Sequence, residues 1–207
     1  MSEHPVPFFF APPAADRPGP GVIVVHEGGG ISPQLLRVCE RLADAGYAAL
    51  APDLFVRSGG SGAADFTTLI GALTPDEVNA DLAAAAQRLR GFGATRIGIT
   101  GFCLGGTISY RAAVSDLDLA CAAPFYGAHI ARELGRPRCP ILAFFGGQDE
   151  YIPPADIEAV QAHHPGDVVV YPAAGHGFMR DGSESYDADA ATDAWSRLLS
   201  FFQQHLR

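Results

Sequence analysis

The sequence contains few basic residues and no cluster of them. Its 207 residues include 14 Lys and Arg against 23 Asp and Glu, so the formal net charge is -9, and the isoelectric point is near 5.1. Nucleic acids and anionic membranes are bound by clustered Lys and Arg. The composition therefore argues against both partners and favours a small-molecule substrate, for which one arginine in a cavity could hold a carboxylate.

Long apolar runs are also missing. Stretches such as 21–25 and 141–145 are far shorter than the roughly 20 residues that cross a bilayer, so no membrane span is predicted. Residues 1–10 lack the basic start and the apolar core of a secretory signal. A cytoplasmic monomer or small homo-oligomer is the resulting expectation.

Closely spaced cysteines are the third absence. Cys39, Cys103, Cys121 and Cys139 form no CxxC pattern, so neither a zinc site nor a redox pair is predicted, and no metal or cofactor is expected. The three cysteines other than Cys103 are interpreted as small, reduced core residues. The neighbouring His163 and His164 are predicted to lie at the surface, on different faces of a helix.

Short β-branched runs alternate with longer helical patterns along the whole chain. This order predicts one α/β domain over residues 1–207, with an open, doubly wound, mostly parallel sheet covered by helices on both faces. The strands are predicted at 22–26, 47–51, 96–100, 119–125, 141–145 and 168–171, and the helices at 33–45, 75–90, 104–114, 154–162 and 187–205. In such sheets, ligands bind at the carboxyl ends of the strands.

A cysteine stands at the centre of a glycine-rich turn between a predicted strand and a predicted helix. The segment Gly101-Phe102-Cys103-Leu104-Gly105 has the nucleophile-elbow pattern G-x-S-x-G with Cys in place of Ser. Small residues two positions either side permit the strained backbone that exposes the central side chain. At the start of a helix, the dipole also favours a thiolate and a developing oxyanion. Cys103 is therefore the candidate nucleophile.

An acid and a histidine follow the next strands in hydrolase order. Asp149 lies just beyond a glycine turn, and His176 stands between two glycines after the following strand. An Asp here can fix the histidine tautomer and stabilise the imidazolium. The chain order nucleophile, acid, histidine is that of α/β-hydrolases, and it predicts a catalytic triad of Cys103, Asp149 and His176.

The loop after the first predicted parallel strand carries a glutamate and three glycines. In this arrangement the backbone N–H groups of Gly28 and Leu104 are candidates for the oxyanion hole. Glu27 could raise the pKa of the Cys103 thiol by like-charge repulsion, or it could act as the base that takes the thiol proton. Both interpretations stay open, beside the simpler one in which Glu27 only stabilises the loop through an ion pair.

Six segments together make the chain resemble the dienelactone hydrolase family (carboxymethylenebutenolidases) over nearly its full length. They are His26 to Gly28, Gly46 to Phe55, Gly101 to Gly106, Phe125 to Gly127, Phe145 to Asp149 and Gly175 to Arg180. The resemblance implies an α/β-hydrolase fold without a large lid domain and a Cys-His-Asp triad. It also implies a thiol kept inactive through Glu27 until an anionic substrate displaces that carboxylate, and an arginine, Arg180, that holds the substrate carboxylate. Tyr126 and Phe178 are further candidates for substrate contacts.

One segment departs from the family pattern. The family has a second arginine and a tyrosine before the second long helix, whereas residues 58–73 contain neither, and Arg57 and Phe66 are the nearest equivalents. We therefore expect hydrolysis of a small ester or enol lactone, through a thioester intermediate, with a substrate preference different from dienelactone. Acyl transfer or thioester hydrolysis on the same triad is the first alternative, and a non-catalytic ligand-binding protein is the second.

Overall fold

A seven-stranded sheet forms the centre of the protein. The computed structural model describes residues 6–13 and 19–207, so part of the N-terminal segment considered above lies outside the described residues. The sheet order is β1-β3-β2-β4-β5-β6-β7, in which only β1 is antiparallel to its neighbour. The strands are β1 (Phe8–Ala11), β2 (Gly19–Val25), β3 (Ala48–Pro52), β4 (Ala94–Phe102), β5 (Cys121–Phe125), β6 (Ala143–Gly146) and β7 (Val168–Tyr171).

Six α-helices lie between or after these strands in the described residues, and local capping explains where several of them begin. They are α1 (Pro33–Asp44), α2 (Phe66–Gly71), α3 (Pro75–Gly91), α4 (Leu104–Val114), α5 (Pro154–His163) and α6 (Ala188–Leu206). The Thr74 side chain accepts a hydrogen bond from the backbone N–H of Glu77 at 3.3 Å, and Pro75 occupies the first helical position of α3. The five long helices begin and end within a few residues of their predicted bounds.

Helices cover the sheet on both faces. Val22, Ile23, Val24 and Val25 have no exposed surface, which requires that both faces of β2 are buried. A side chain at Gly21 would point at Leu89 of α3, whereas one at Gly98, paired with the next residue of β2, would point at Leu206 of α6. Since successive residues of a strand face opposite sides, α3 and α6 lie on opposite faces. The predicted doubly wound, mostly parallel α/β architecture is confirmed.

Two short elements and one histidine differ from the sequence expectations. Strand β1 and helix α2 were not expected, because an edge strand of four residues and a helix of six carry too little periodicity. The prediction of a surface His164 is wrong: α5 ends at His163, and the backbone of His164 turns its ring inward to lie 2.8 Å from the hydroxyl of Tyr110. The rings of His163 and His164 meet edge to face. Within the described residues, the helices include none that could cross a membrane.

Candidate active site

Cys103 stands on the strained turn between β4 and α4. Its backbone has φ 55° and ψ -113°, in a region that L-residues rarely adopt and that costs about 1 to 3 kcal/mol. A Cβ at Gly101 would collide with the carbonyl oxygen of Gly105, and a Cβ at Gly105 would collide with that of Val25. The glycines two positions either side of Cys103 are therefore required by the turn, as the sequence pattern indicates.

The first turn of α4 begins directly after the sulfur-bearing residue. The N–H of Thr107 donates to the carbonyl oxygen of Cys103, so the helix starts at Leu104 and its first amides have no acceptor within the helix. The helix dipole adds positive potential at this end. The half-buried thiol of Cys103 thus lies where negative charge on sulfur or on a substrate oxygen is stabilised.

A buried carboxylate orients His176. Nδ1 of His176 donates to Oδ2 of Asp149 at 2.7 Å, and the Asp149 side chain has no exposed surface. The other oxygen, Oδ1, accepts from the backbone N–H groups of Tyr151 at 2.8 Å and Ile152 at 3.1 Å. Because both oxygens are occupied, the carboxylate cannot rotate freely. The imidazole is consequently held with Nε2 as the nitrogen left for proton exchange.

The charges around His176 favour its protonated form. Burial lowers the pKa of the imidazole, but the hydrogen bond to Asp149, the nearby sulfur of Cys103 and the negative charge of the Asp149 carboxylate outweigh burial and raise the pKa to about 9. This influence of the sulfur shows that Cys103 and His176 lie within interaction range of each other.

Two tyrosines pack against the imidazole. The rings of Tyr126 and Tyr151 both meet that of His176 edge to face. The distances between ring centroids are 5.0 Å for Tyr126 and 4.9 Å for Tyr151. Tyr126 is buried, and burial raises the pKa of its phenol well above the usual value, so this hydroxyl stays protonated. Tyr151 is two-thirds exposed. The sequence analysis did not single out Tyr151, although its position two residues after Asp149 could have suggested a place beside the histidine.

Glu27 and Arg180 form an ion pair at the other side of the site. Oε2 of Glu27 accepts from Nε of Arg180 at 3.1 Å and from a terminal guanidinium nitrogen at 2.8 Å. Both side chains are partly exposed, and they line a narrow cleft of about 10 Å³ together with Tyr126. The structure therefore brings together the predicted anion-binding arginine and the predicted thiol-controlling glutamate. The functions assigned to them stay predictions.

Gly28 lies in the turn that follows Glu27. The N–H of Gly30 donates to the carbonyl oxygen of Glu27 at 3.0 Å and closes this turn. A Cβ at Gly28 would lie 3.0 Å from Cδ1 of Ile70, which belongs to α2. The turn is thus packed closely against α2. The contribution of the Gly28 N–H to an oxyanion hole stays a prediction.

Two further expectations concern residues at the edge of the site. Phe178 has no exposed surface, and its ring packs against those of Tyr126 and Tyr171; its predicted contact with substrate stays a prediction. Arg57, the nearest base to the missing second arginine, donates to both oxygens of the buried Asp81 at 2.6 and 2.7 Å. Its guanidinium is therefore engaged in holding α3 to the preceding loop.

A larger cavity opens directly beside Cys103. Its volume is about 320 Å³, and it is lined by Ile70, Leu73, Thr74, Pro75, Val78, Cys103, Leu104, Thr107, Ile108, Arg111, Ala128 and His129. Most of these side chains are apolar. The sequence analysis missed this cavity because its walls come from three separate segments of the chain, which share no local pattern.

Comparisons with known proteins agree with this geometry. The model of the family described as "Dienelactone hydrolase family" matches residues 7–206. A protein named "Putative carboxymethylenebutenolidase" from Escherichia coli strain K12 is 38% identical, covering 94% of this chain and 80% of the relative. One of the same name from Methylorubrum extorquens is 35% identical, covering 99% and 79%.

A solved structure shows the same likeness in three dimensions. The crystal structure named as a "Putative Dienelactone Hydrolase" from Klebsiella pneumoniae is 32% identical and superposes with a TM-score of 0.87, covering 96% of this chain and 93% of the other. The structure of Est1E from Butyrivibrio proteoclasticus with bound ferulic acid is 17% identical, covers 97% of this chain and 95% of the other with a TM-score of 0.71, and supports the fold alone. The family match, these relatives and the architecture together show that the chain belongs to the dienelactone hydrolase family of α/β-hydrolases.

Proposed function

We propose that this hydrolase cleaves a small ester or lactone with Cys103 as the nucleophile and forms a thioester acyl-enzyme. The observation that carries the proposal is the placement of the sulfur. Cys103 stands on a strained turn at the start of α4, within interaction range of an imidazole that the buried Asp149 holds in one orientation. A nucleophile, its base and the group that orients the base are the components of nucleophilic acyl transfer.

The first half of the reaction forms the thioester. The Cys103 thiolate attacks the carbonyl carbon, and the backbone N–H groups of Leu104 and Gly28 stabilise the resulting oxyanion. The bond between the carbonyl carbon and the leaving oxygen then breaks as His176 transfers a proton from Nε2 to that oxygen. In a lactone, the leaving oxygen stays attached to the acyl group through the opened ring.

The second half of the reaction releases the acid. His176 removes a proton from water, whose oxygen attacks the thioester carbonyl, and the carbon–sulfur bond breaks to restore the thiolate. The proton then remains on the imidazole, which is ready for the next leaving group. Asp149 stabilises the imidazolium in both halves through its hydrogen bond to Nδ1.

The ion pair between Glu27 and Arg180 supports a role for substrate charge. An anionic substrate group that accepts hydrogen bonds from Arg180 would compete with Oε2 of Glu27 for the same two donors. Displaced in this way, the Glu27 carboxylate becomes available as the base that takes the proton of the Cys103 thiol. The pairing geometry is consistent with the control mechanism that the family resemblance implies.

Product analysis tests the proposed function. Purified protein should convert simple enol lactones and p-nitrophenyl acetate to the free acids, because the active site holds a complete set of groups for acyl transfer to water. The reaction is followed by proton release and by chromatography of the products. Ester products that accumulate in proportion to an added alcohol would show an acyltransferase instead. Absence of turnover on every ester and lactone of the panel would refute the proposal.

Replacing Arg180 by alanine should weaken binding of carboxylate-bearing lactones selectively. A charged hydrogen-bonded pair contributes about 1.5 to 3 kcal/mol to binding. Because Glu27 competes for Arg180, we expect the loss of binding energy to lie near the lower end of this range, which corresponds to a rise in KM of about tenfold. Measured KM for the uncharged analogue should stay unchanged. Arg197→Ala, at an exposed ion pair on α6, is the matched control. An equal rise of KM for both substrates would contradict an anion-binding role.

A further inference from the structure

The cavity of about 320 Å³ beside Cys103 has walls suited to an apolar group. Helix α2 and the turn after it contribute Ile70 and Leu73, the start of α3 contributes Val78, and the first turns of α4 contribute Leu104 and Ile108. Its volume lies at the lower end of the roughly 300 to 1,000 Å³ typical of small-molecule sites. Apolar walls of this kind are stabilised when an apolar group displaces water from them.

The arginine that lines this cavity already has a partner. Arg111 is the cation among its lining residues that is charged at every ordinary pH, and both oxygens of Glu133 accept from it, at 2.6 and 2.8 Å. Arg57, on the loop before α2, is bound in the same two-point manner by Asp81. Binding a substrate carboxylate in this cavity would require breaking one of these pairs or leaving the carboxylate without a cation.

The position of the cavity relative to the triad tells which part of an ester it can hold. Cys103 and Leu104 line it, whereas His176 is not among its lining residues within the described chain. The leaving oxygen must lie near His176 to receive a proton, so the alcohol part of the substrate extends away from the cavity. The substituent on the other side of the carbonyl carbon, the acyl group, then extends into it.

We propose that this cavity is the acyl-binding site and that it takes an uncharged apolar acyl group, of the size of a hexanoyl or phenylacetyl group. The inference rests on the proposed function, because it assumes attack by Cys103. Because the second arginine of the family pattern is missing, the acyl site between α2 and α4 is apolar. Any substrate anion is then held separately by Arg180.

A chain-length series tests the proposal on the unmodified protein. Each methylene moved from water into an apolar site favours binding by about fourfold, so kcat/KM should rise about tenfold or more from p-nitrophenyl acetate to the hexanoate. The adipate half-ester, which has a carboxylate at the end of an acyl chain of equal length, should react at least tenfold more slowly than the hexanoate. A flat series, or a preference for the adipate half-ester, would overturn the proposal.

A variant with a narrower cavity tests whether the chain-length preference arises from the residues that line it. Ala128→Leu adds bulk to the half-buried loop residue at its edge and should lower the ratio of kcat/KM for hexanoate to acetate by about tenfold, since overpacking a site disfavours the larger group. Ala155→Leu, at an exposed position in α5, is the matched control and should leave this ratio and the acetate activity unchanged. An equal ratio in the Ala128→Leu variant would overturn the proposal.

The test separates this inference from the proposed function. If Cys103→Ala is inactive while the wild-type protein shows no chain-length preference, the nucleophile stands and the acyl site is wrong. If Cys103→Ala retains full activity, the proposed function itself fails. The chain-length series uses the wild-type protein, so the acyl site can be refuted even if the Ala128→Leu variant does not fold.

Discussion

Cys103→Ala should lower kcat/KM for lactone and ester hydrolysis by about 10⁴-fold or more, the order of loss seen when a triad nucleophile is removed. The reason is that no other group can form the covalent intermediate: the remaining groups can only bind the substrate and polarise its carbonyl. The measurement is steady-state hydrolysis of an enol lactone, with thermal unfolding as a check that the variant is folded.

A second cysteine variant controls for loss of a thiol as such. Cys139 is partly exposed, but burial raises the pKa of its thiol to about 11, so it stays protonated and unreactive near neutral pH. Cys139→Ala should therefore keep wild-type activity. A Cys103→Ala variant that is folded and as active as Cys139→Ala would remove Cys103 from the mechanism.

Asp149→Asn should lower kcat by on the order of 10³- to 10⁴-fold with only a small change in KM. An amide at this position carries two N–H donors that replace one oxygen acceptor. The amide oxygen of the new side chain would still accept from the backbone N–H groups of Tyr151 and Ile152. Its NH₂ group would then face Nδ1 of His176. The imidazole would then be held in the wrong tautomer. Rates are measured by single-turnover and steady-state kinetics.

The same variant should change the titration of His176 in a known direction. In the wild-type protein the hydrogen bond and charge of Asp149 help to raise the pKa of His176 from 6.5 to about 9. This protonation stabilises the fold fully below about pH 6.5, and the stabilisation is lost as the pH rises through about 9. Asp149→Asn should lower the pKa of His176, as followed by NMR titration, and weaken this pH dependence of the free energy of unfolding. An unchanged pKa would show that Asp149 does not control the imidazole.

The parts of the fold that could be predicted are those specified by short-range chemistry. The turn before helix α4 requires glycines at positions 101 and 105, and both glycines can be read from the sequence. This pattern predicts that the helix begins at Leu104, as it does. Strand β7 was predicted with its observed bounds from three valines and a tyrosine between turn residues. The pairing of Asp149 with His176 follows from chain order once the strands are parallel neighbours.

What could not be predicted depends on contacts between distant segments. His164 looks like a surface residue in a helical pattern, and only the end of α5 together with the position of Tyr110 turns it inward. Phe178 lies two residues after His176 in sequence, yet its ring is buried against Tyr126 and Tyr171, which belong to other segments of the chain. The cavity beside Cys103 depends on α2, a helix of six residues.

The most direct measurement of the central claim is the mass of the protein trapped during turnover. After rapid mixing with p-nitrophenyl acetate and acid quenching, the account predicts a burst of about one nitrophenolate per chain and an acetyl group on the peptide that contains Cys103. The adduct should be released by hydroxylamine, as a thioester is. A full rate of hydrolysis with no adduct under conditions that trap a known thioester enzyme, or an adduct on a different residue, would contradict the account.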